Sequence, residues 1–157
     1  MTTDEAARTG IDEIDRRIIQ ELSRDARLSM RELAERTHIS RAHAYVRLDR
    51  LRQSGVIEGF SARIGYEKTG LRASALVAMS IRQERWHGIA DSLSTLPFVD
   101  HYFLLGGDLD VIVLVRATDN QALRGIVLEQ LQGLPGVRST RTWLIFEEAV
   151  GPGPEWV

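Results

Sequence analysis

Along the first third of the chain the apolar residues recur at helical spacing. Ile11, Ile14, Ile18 and Leu22 of IDEIDRRIIQELSRD fall on one stripe and predict a helix over about 13–24. Asp12 stands before it as an N-cap, and Glu13 and Asp15 supply the negative charge that favours a helix start. The next segment, LSMRELAERTHIS, opens on Ser29 with Glu32 three residues later, a capping-box signature. Leu33 and Ala34 face inward there, and the helix ends near Thr37. Ser40 caps a third helix, RAHAYVRLDRLRQS, with Ala44, Leu48 and Leu51 as its buried stripe and Gly55 placed to end it. VIEGFSARI follows as a strand-like wing.

GYEKTGLRAS, with Gly65 and Gly70 and no periodicity of either kind, reads as a linker. Beyond it the pattern predicts strands over about 73–82, 99–105, 109–117 and 137–147. Helices are predicted over about 86–95, carrying Trp86, Ile89, Ala90 and Leu93, and about 120–133, carrying Leu123, Val127 and Leu131. Leu96-Pro97 and Leu134-Pro135 each end a helix, because the residue before a proline is pushed out of the α region. The order βαββαβ is the ferredoxin-like pattern. The expected architecture is α+β: a winged helix-turn-helix at 11–60, a linker at 61–71, a ferredoxin-like domain at 72–149 and a flexible tail at 150–157.

Two strands change the picture further. SALVAM and VIVLV do not alternate; they are apolar on both faces, as in strands buried on both sides. Two helices cover one face of a four-stranded sheet, and no segment is left for the other. The expectation is a homodimer packed sheet against sheet about a twofold axis.

Composition narrows the function classes. The chain has no cysteine, so disulfides and thiolate metal sites are excluded. No apolar run is long enough for a membrane span, and MTTDEAARTG has no signal-peptide core, so a cytoplasmic location at the nucleoid is expected. Net charge is −2, but the distribution is uneven. Between 36 and 63 stand Arg36, Arg41, Arg47, Arg50, Arg52 and Arg63 against Asp49 and Glu58 alone, whereas the chain from Leu71 onward is net acidic. Two short helices across a tight turn, the second rich in arginine, suggest a helix-turn-helix that binds double-stranded DNA. Arg41, His43, Arg47 and Arg50 are read as lying opposite the buried stripe, flanked by Tyr45 and Val46. Ser29, Arg31, Ser40 and Ala42 complete the candidate DNA-binding set. A solvated arginine-rich helix in a plain bundle is the competing reading.

GGDLD at 106–110 admits three readings. Gly106-Gly107 can simply make a hairpin turn. Asp108 and Asp110, two apart on a strand, can share an ion or do acid/base work; no HExxH, Walker loop, GxSxG or GxGxxG accompanies them. Third, backbone N–H groups at the glycines can bind a carboxylate while an aspartate pairs an ammonium, which fits an amino acid. Thr140 and Thr142 share a face of the last strand and offer hydroxyls, though strand propensity explains them equally well.

IDEIDRRIIQELSRDARLSMRELAERTHIS followed by VRLDRLRQSGVIEGFSARI resembles the winged helix-turn-helix of the Lrp/AsnC family of transcription regulators. The likeness runs over roughly 11–149, with Arg47, Arg50, Leu51, Gly55 and Ile57 where that family repeats its residues. The family often has proline after the Ser40 equivalent; this chain has Arg41, Ala42 and His43, so no target sequence carries over. The resemblance implies a dimerising domain that often assembles further, into tetramers or octamers. It also implies a small-molecule effector, an amino acid above all, held near Leu105, Gly106, Gly107, Asp108, Asp110, Thr140 and Thr142. It implies no cofactor, no metal and no catalysis. A tetrapyrrole enzyme of the sirohaem-decarboxylase kind on the same plan, or an effector-free architectural DNA binder, are the alternatives.

Overall fold

The computed structural model describes residues 10–151, 153 and 154. Most of the N-terminal decapeptide, Trp156 and half of the expected tail lie outside the described residues. The chain divides into two compact units, one running through Arg63 and the other spanning Ile64–Gly151.

The first unit holds three helices: α1 (Glu13–Arg24), α2 (Met30–Thr37) and α3 (Arg41–Gln53). Their starts follow from reciprocal caps. The Asp15 N–H donates to Asp12 Oδ1 at 2.9 Å and the Asp12 N–H donates to Asp15 Oδ2 at 3.1 Å. Ser29 and Glu32 repeat the arrangement at α2, and Ser40 Oγ accepts the His43 N–H at 3.2 Å at α3. Ile18, Ile19, Leu22, Leu33 and Leu51 make the core, with Ile11, Ile14, Leu48 and Ile57 packed on it.

Between α2 and α3 the chain reverses at His38, which sits in the left-handed region at φ 57°. The Ile39 N–H then reaches the Ala34 carbonyl at 3.0 Å and closes α2. The expected wing is a correction: residues 56–64 form no strand. A strand exists only as part of a ladder, and among the described residues nothing pairs with this segment. Ile57 is its anchor, its N–H on the Leu51 carbonyl at 2.9 Å. Phe60 and Ile64 stay half exposed.

The second unit begins with a single 3-10 turn, Tyr66–Thr69, inside the stretch read as linker. It continues as β1 (Ala73–Ile81), α4 (Trp86–Thr95), β2 (Val99–Leu104), β3 (Val111–Ala117), α5 (Asn120–Gly125, prolonged by π-helical turns over Ile126–Leu131) and β4 (Val137–Leu144). The sheet order is β2-β3-β1-β4, all antiparallel, as the βαββαβ pattern predicts.

The inner face carries Ala75, Val77 and Met79 of β1 and Val111, Val113 and Val115 of β3. Ile89 and Leu93 of α4 and Leu123, Ile126, Val127 and Leu131 of the second helix bury them. On the outer face the pairing sets Phe103, Ile112, Ala78 and Arg141 in one row, and His101, Leu114, Leu76 and Trp143 in the next. Among the described residues no helix covers these rows: Phe103 is 54% and Trp143 50% exposed.

At one end of this face a charge is buried. Arg116 donates to Asp100 Oδ2 at 2.8 Å, Ser74 Oγ at 3.1 Å and Glu148 Oε2 at 2.6 Å, with the Tyr66 ring 4.3 Å from its guanidinium carbon. The cluster ties the 3-10 turn, β2, β3 and the segment after β4 together. The Arg116 hydrogen bonds hold the Glu148 carboxyl below its usual range, against the opposing effect of its partial burial.

A left-handed backbone strains any side chain with a Cβ, and histidine tolerates it better than most. His38→Gly is therefore expected to raise the stability of the first unit by about 0.5–1 kcal/mol, net of glycine's greater unfolded-state entropy. Urea unfolding followed by helical circular dichroism measures this, and a lower midpoint would contradict it.

Candidate nucleic-acid interface and effector turn

The exposed surface of α3 differs from the one its composition suggests. With Ala44 and Leu51 buried, Arg41, Ala42, His43, Tyr45 and Val46 in the first two turns are exposed, Tyr45 at 56% and Val46 at 68%. Arg47 is not opposite the buried stripe. It lies on the flank facing α1, its side chain 25% exposed. There Arg47 Nη1 donates to Asp12 Oδ2 at 2.6 Å and to Asp15 Oδ1 at 2.9 Å. Arg50, on the same flank, pairs through Nη2 with Asp15 Oδ2.

Asp15 has no solvent exposure at all, so its charge is supportable only because both arginines stand on it. Removing a partner from a buried ion pair typically costs about 3–5 kcal/mol, while one bidentate DNA contact is worth about 1–3 kcal/mol. The buried pair is therefore the stronger of the two interactions. Arg47 is a strut between α1 and α3, and a DNA contact that withdrew it from Asp15 would be unfavourable.

Other ion pairs trim the basic stretch further. Arg36 pairs with Glu21 at 2.9 Å, so Arg36, Arg47 and Arg50 are all matched by acids of α1. Among the described residues Arg41, Arg52 and Arg63 make no ion pair, and all three are exposed. Arg31 lies against Glu35 at 3.0 Å on the surface of α2. Ser29 and Ser40 have their side chains committed to caps.

Gly106 and Gly107 stand in the loop that joins β2 to β3, closed by the Leu105 N–H on the Asp110 carbonyl at 2.8 Å. Gly107 has φ 148°, which a side chain rarely adopts. Asp108 is exposed at the tip. Asp110 is turned inward: its Oδ2 accepts the Ile81 N–H at 2.8 Å and so ties the loop to the end of β1. The two aspartates are thus differently employed.

Thr140 and Thr142 do share a face, opposite Met79 and Val77. Val111, Met79 and Thr140 run across the sheet in register, so Thr140 and the turn occupy the same end of it. They are separated by two strand spacings, roughly 10 Å. Within one chain the turn and the threonines therefore share one end of the sheet without meeting.

Sequence reasoning missed both buried charge clusters. A signal existed in each case. Asp15 falls on the stripe of Ile11, Ile18 and Leu22, and Arg116 directly follows the apolar run VIVLV within the same strand; a charge in either place needs partners.

Arg47→Ala is expected to destabilise the first unit by roughly 3 kcal/mol. Acid should act on the same strut. Burial raises the Asp12 carboxyl, but the hydrogen bonds from Arg47 and the Asp15 N–H and the Arg47 charge outweigh it and hold it below 3.8. A depressed carboxyl stabilises fully above its unfolded value and loses that contribution as pH falls through the folded one. Stability measured between pH 6 and 2 should drop below about pH 4 in the wild type, and less in Arg47→Ala.

A family profile for winged helix-turn-helix DNA-binding domains matches residues 11–58, and a profile for the Lrp/AsnC ligand binding domain matches residues 74–153. The HTH-type transcriptional regulator AldR of Mycolicibacterium smegmatis is 38% identical, over 92% of this chain and 86% of that protein. The leucine-responsive regulatory protein of Escherichia coli is 34% identical, over 88% and 86%. Among solved structures, a transcriptional regulator from Neisseria meningitidis in complex with L-Met superposes with a TM-score of 0.82 at 28% identity, covering 90% of this chain and 93% of that one. A three-helix DNA-binding unit followed by an open-faced βαββαβ unit, with both profiles in that order, makes this chain a member of the Lrp/AsnC family of DNA-binding transcription regulators.

Proposed function

We propose that the chain acts as a homodimer that reads a pseudo-palindromic double-stranded DNA site and responds to an amino acid held where two copies meet. The observation that carries the dimer is the uncovered outer face of the sheet. Phe103, Ile112, Leu114, Leu76 and Trp143 form contiguous apolar rows with none of the described residues forming an element above them. A patch of this kind marks an association surface, and a twofold pairing is the commonest closed solution.

DNA recognition falls to Arg41, Ala42, His43, Tyr45 and Val46, with Ser29, Arg31 and Ser40 near the phosphates and Arg47 and Arg50 behind them. The work is therefore done at the nucleoid, in the cytoplasm. Leu105, Gly106, Gly107, Asp108 and Asp110 form one wall of the effector site and Thr140 and Thr142 the other. An amino acid suits the turn because backbone N–H groups and an exposed carboxylate address its two charges. The L-Met in the Neisseria structure and the name of the leucine-responsive relative support that class of ligand. Effector binding would act by favouring one assembly over another, which requires different affinity for the two. A tetramer or octamer of such dimers fits this role.

Selecting bound DNA from a random pool, with and without an amino-acid mixture, tests the whole reading. An enriched two-fold motif whose occupancy shifts with the mixture is the expected result. Two variants test its parts. Leu114→Glu places a charge in the middle of the outer face and should sediment as a folded monomer; an unchanged sedimentation coefficient would refute the interface. Asp108→Ala should weaken amino-acid binding by calorimetry at least 10-fold, the loss of about 1.4 kcal/mol expected of one charged contact, and leave DNA binding by the unliganded protein intact.

A further inference from the structure

The ion cluster between α1 and α3 does more than hold two helices together. The geometry points to Asp15 as a positioning residue for DNA recognition, acting through Arg50. This rests on the assignment of α3 as the DNA-reading helix and adds a residue outside α3 to the recognition machinery.

Asp15 is immobile. Its backbone N–H is bonded to Asp12 Oδ1, its Oδ2 accepts the Asp12 N–H, its Oδ1 accepts from Arg47, and it has no exposure to solvent. Arg50 meets this fixed carboxylate with one terminal nitrogen, Nη2. Its side chain is 52% exposed, and among the described residues its guanidinium has no other partner. A guanidinium is a rigid plane with five donors. Anchoring Nη2 on Asp15 restricts where the remaining N–H groups point, on the side of α3 that also carries His43 two helical turns back at i−7. Arg50 is thus offered to a phosphate with its rotamer already chosen, so the conformational entropy that a free arginine would lose on binding is lost already in folding.

Arg47 and Arg50 therefore differ despite sharing an acid. Arg47 Nη1 is shared between two carboxylates and its side chain is mostly covered; Arg50 has one anchor and an open edge. A positioned phosphate contact fixes register on the duplex and so sharpens the gap between specific and non-specific binding. A loose arginine adds only salt-dependent affinity for any DNA.

The test is a double-mutant cycle on the full chain, using DNA selected from the random pool and a scrambled duplex at several salt concentrations. Asp15→Asn keeps the shape and removes the charge that anchors Arg50. It should lower the specific-to-scrambled affinity ratio about 10-fold while binding to scrambled DNA stays the same or rises. Arg50→Ala should lower the ratio and reduce the salt slope by about 1. In the Arg50→Ala background, Asp15→Asn should lower the ratio no further. An unchanged ratio in Asp15→Asn, or an equal loss in both backgrounds, overturns the proposal. Should Asp15→Asn not fold, Arg50→Lys replaces it: the charge stays, the fork is lost, and a wild-type ratio would overturn the proposal in the same way. Absence of any enriched DNA for the wild-type chain is a separate outcome, and it would remove the recognition reading itself.

Discussion

A carboxylate with no access to water has to be neutralised where it stands. Asp15 is such a group, and much of the DNA-binding unit follows from it. Its place is set by the cap it shares with Asp12, so it cannot move to find a cation. The cations must come to it, from one flank of α3 at i and i+3, and that sets both the rotation and the approach of α3 against α1. The face of α3 turned outward is then the one carrying Ala42, His43, Tyr45 and Val46. An apolar pair at these positions would pack as well, but would not specify the rotation of one helix on the other so narrowly.

The second unit answers to a different constraint: the supply of apolar cover. Its two helices bury the inner face of the sheet, and among the described residues no further element covers the outer one. The outer rows are apolar in their middle and charged at one end, where Arg116 is enclosed by Asp100, Glu148 and Tyr66. The apolar middle leaves Phe103 and Trp143 open, as on an association surface. The β2–β3 turn lies at the opposite end of the sheet.

Much of the fold was legible because its signals are local. Caps at Asp12, Ser29 and Ser40, prolines after Leu96 and Leu134, and the switch from helical to strand periodicity near Ala73 each act over a few residues. The wing was not legible, since alternation in VIEGFSARI describes a strand only if another strand lies beside it. The arginines of the basic stretch were legible as residues but not as roles. Counting Arg36, Arg47 and Arg50 as open positive charge ignored acids 15 to 35 positions away in the chain. The carboxylates of the GGDLD turn divide in the same way: Asp108 remains exposed, whereas Asp110 is engaged by a backbone amide 29 positions away.

Outside the wing, the sequence by itself determined which segments form helices and strands, their order, and the presence of strands apolar on both faces. These depend on spacing and on the short-range preferences of caps, glycines and prolines. Tertiary structure alone decided which charges are spent inside the protein and which are left for a partner. The physical reason is that an ion's availability depends on what is within a few ångströms of it once it is out of water, and that neighbourhood is assembled from residues far apart in the chain.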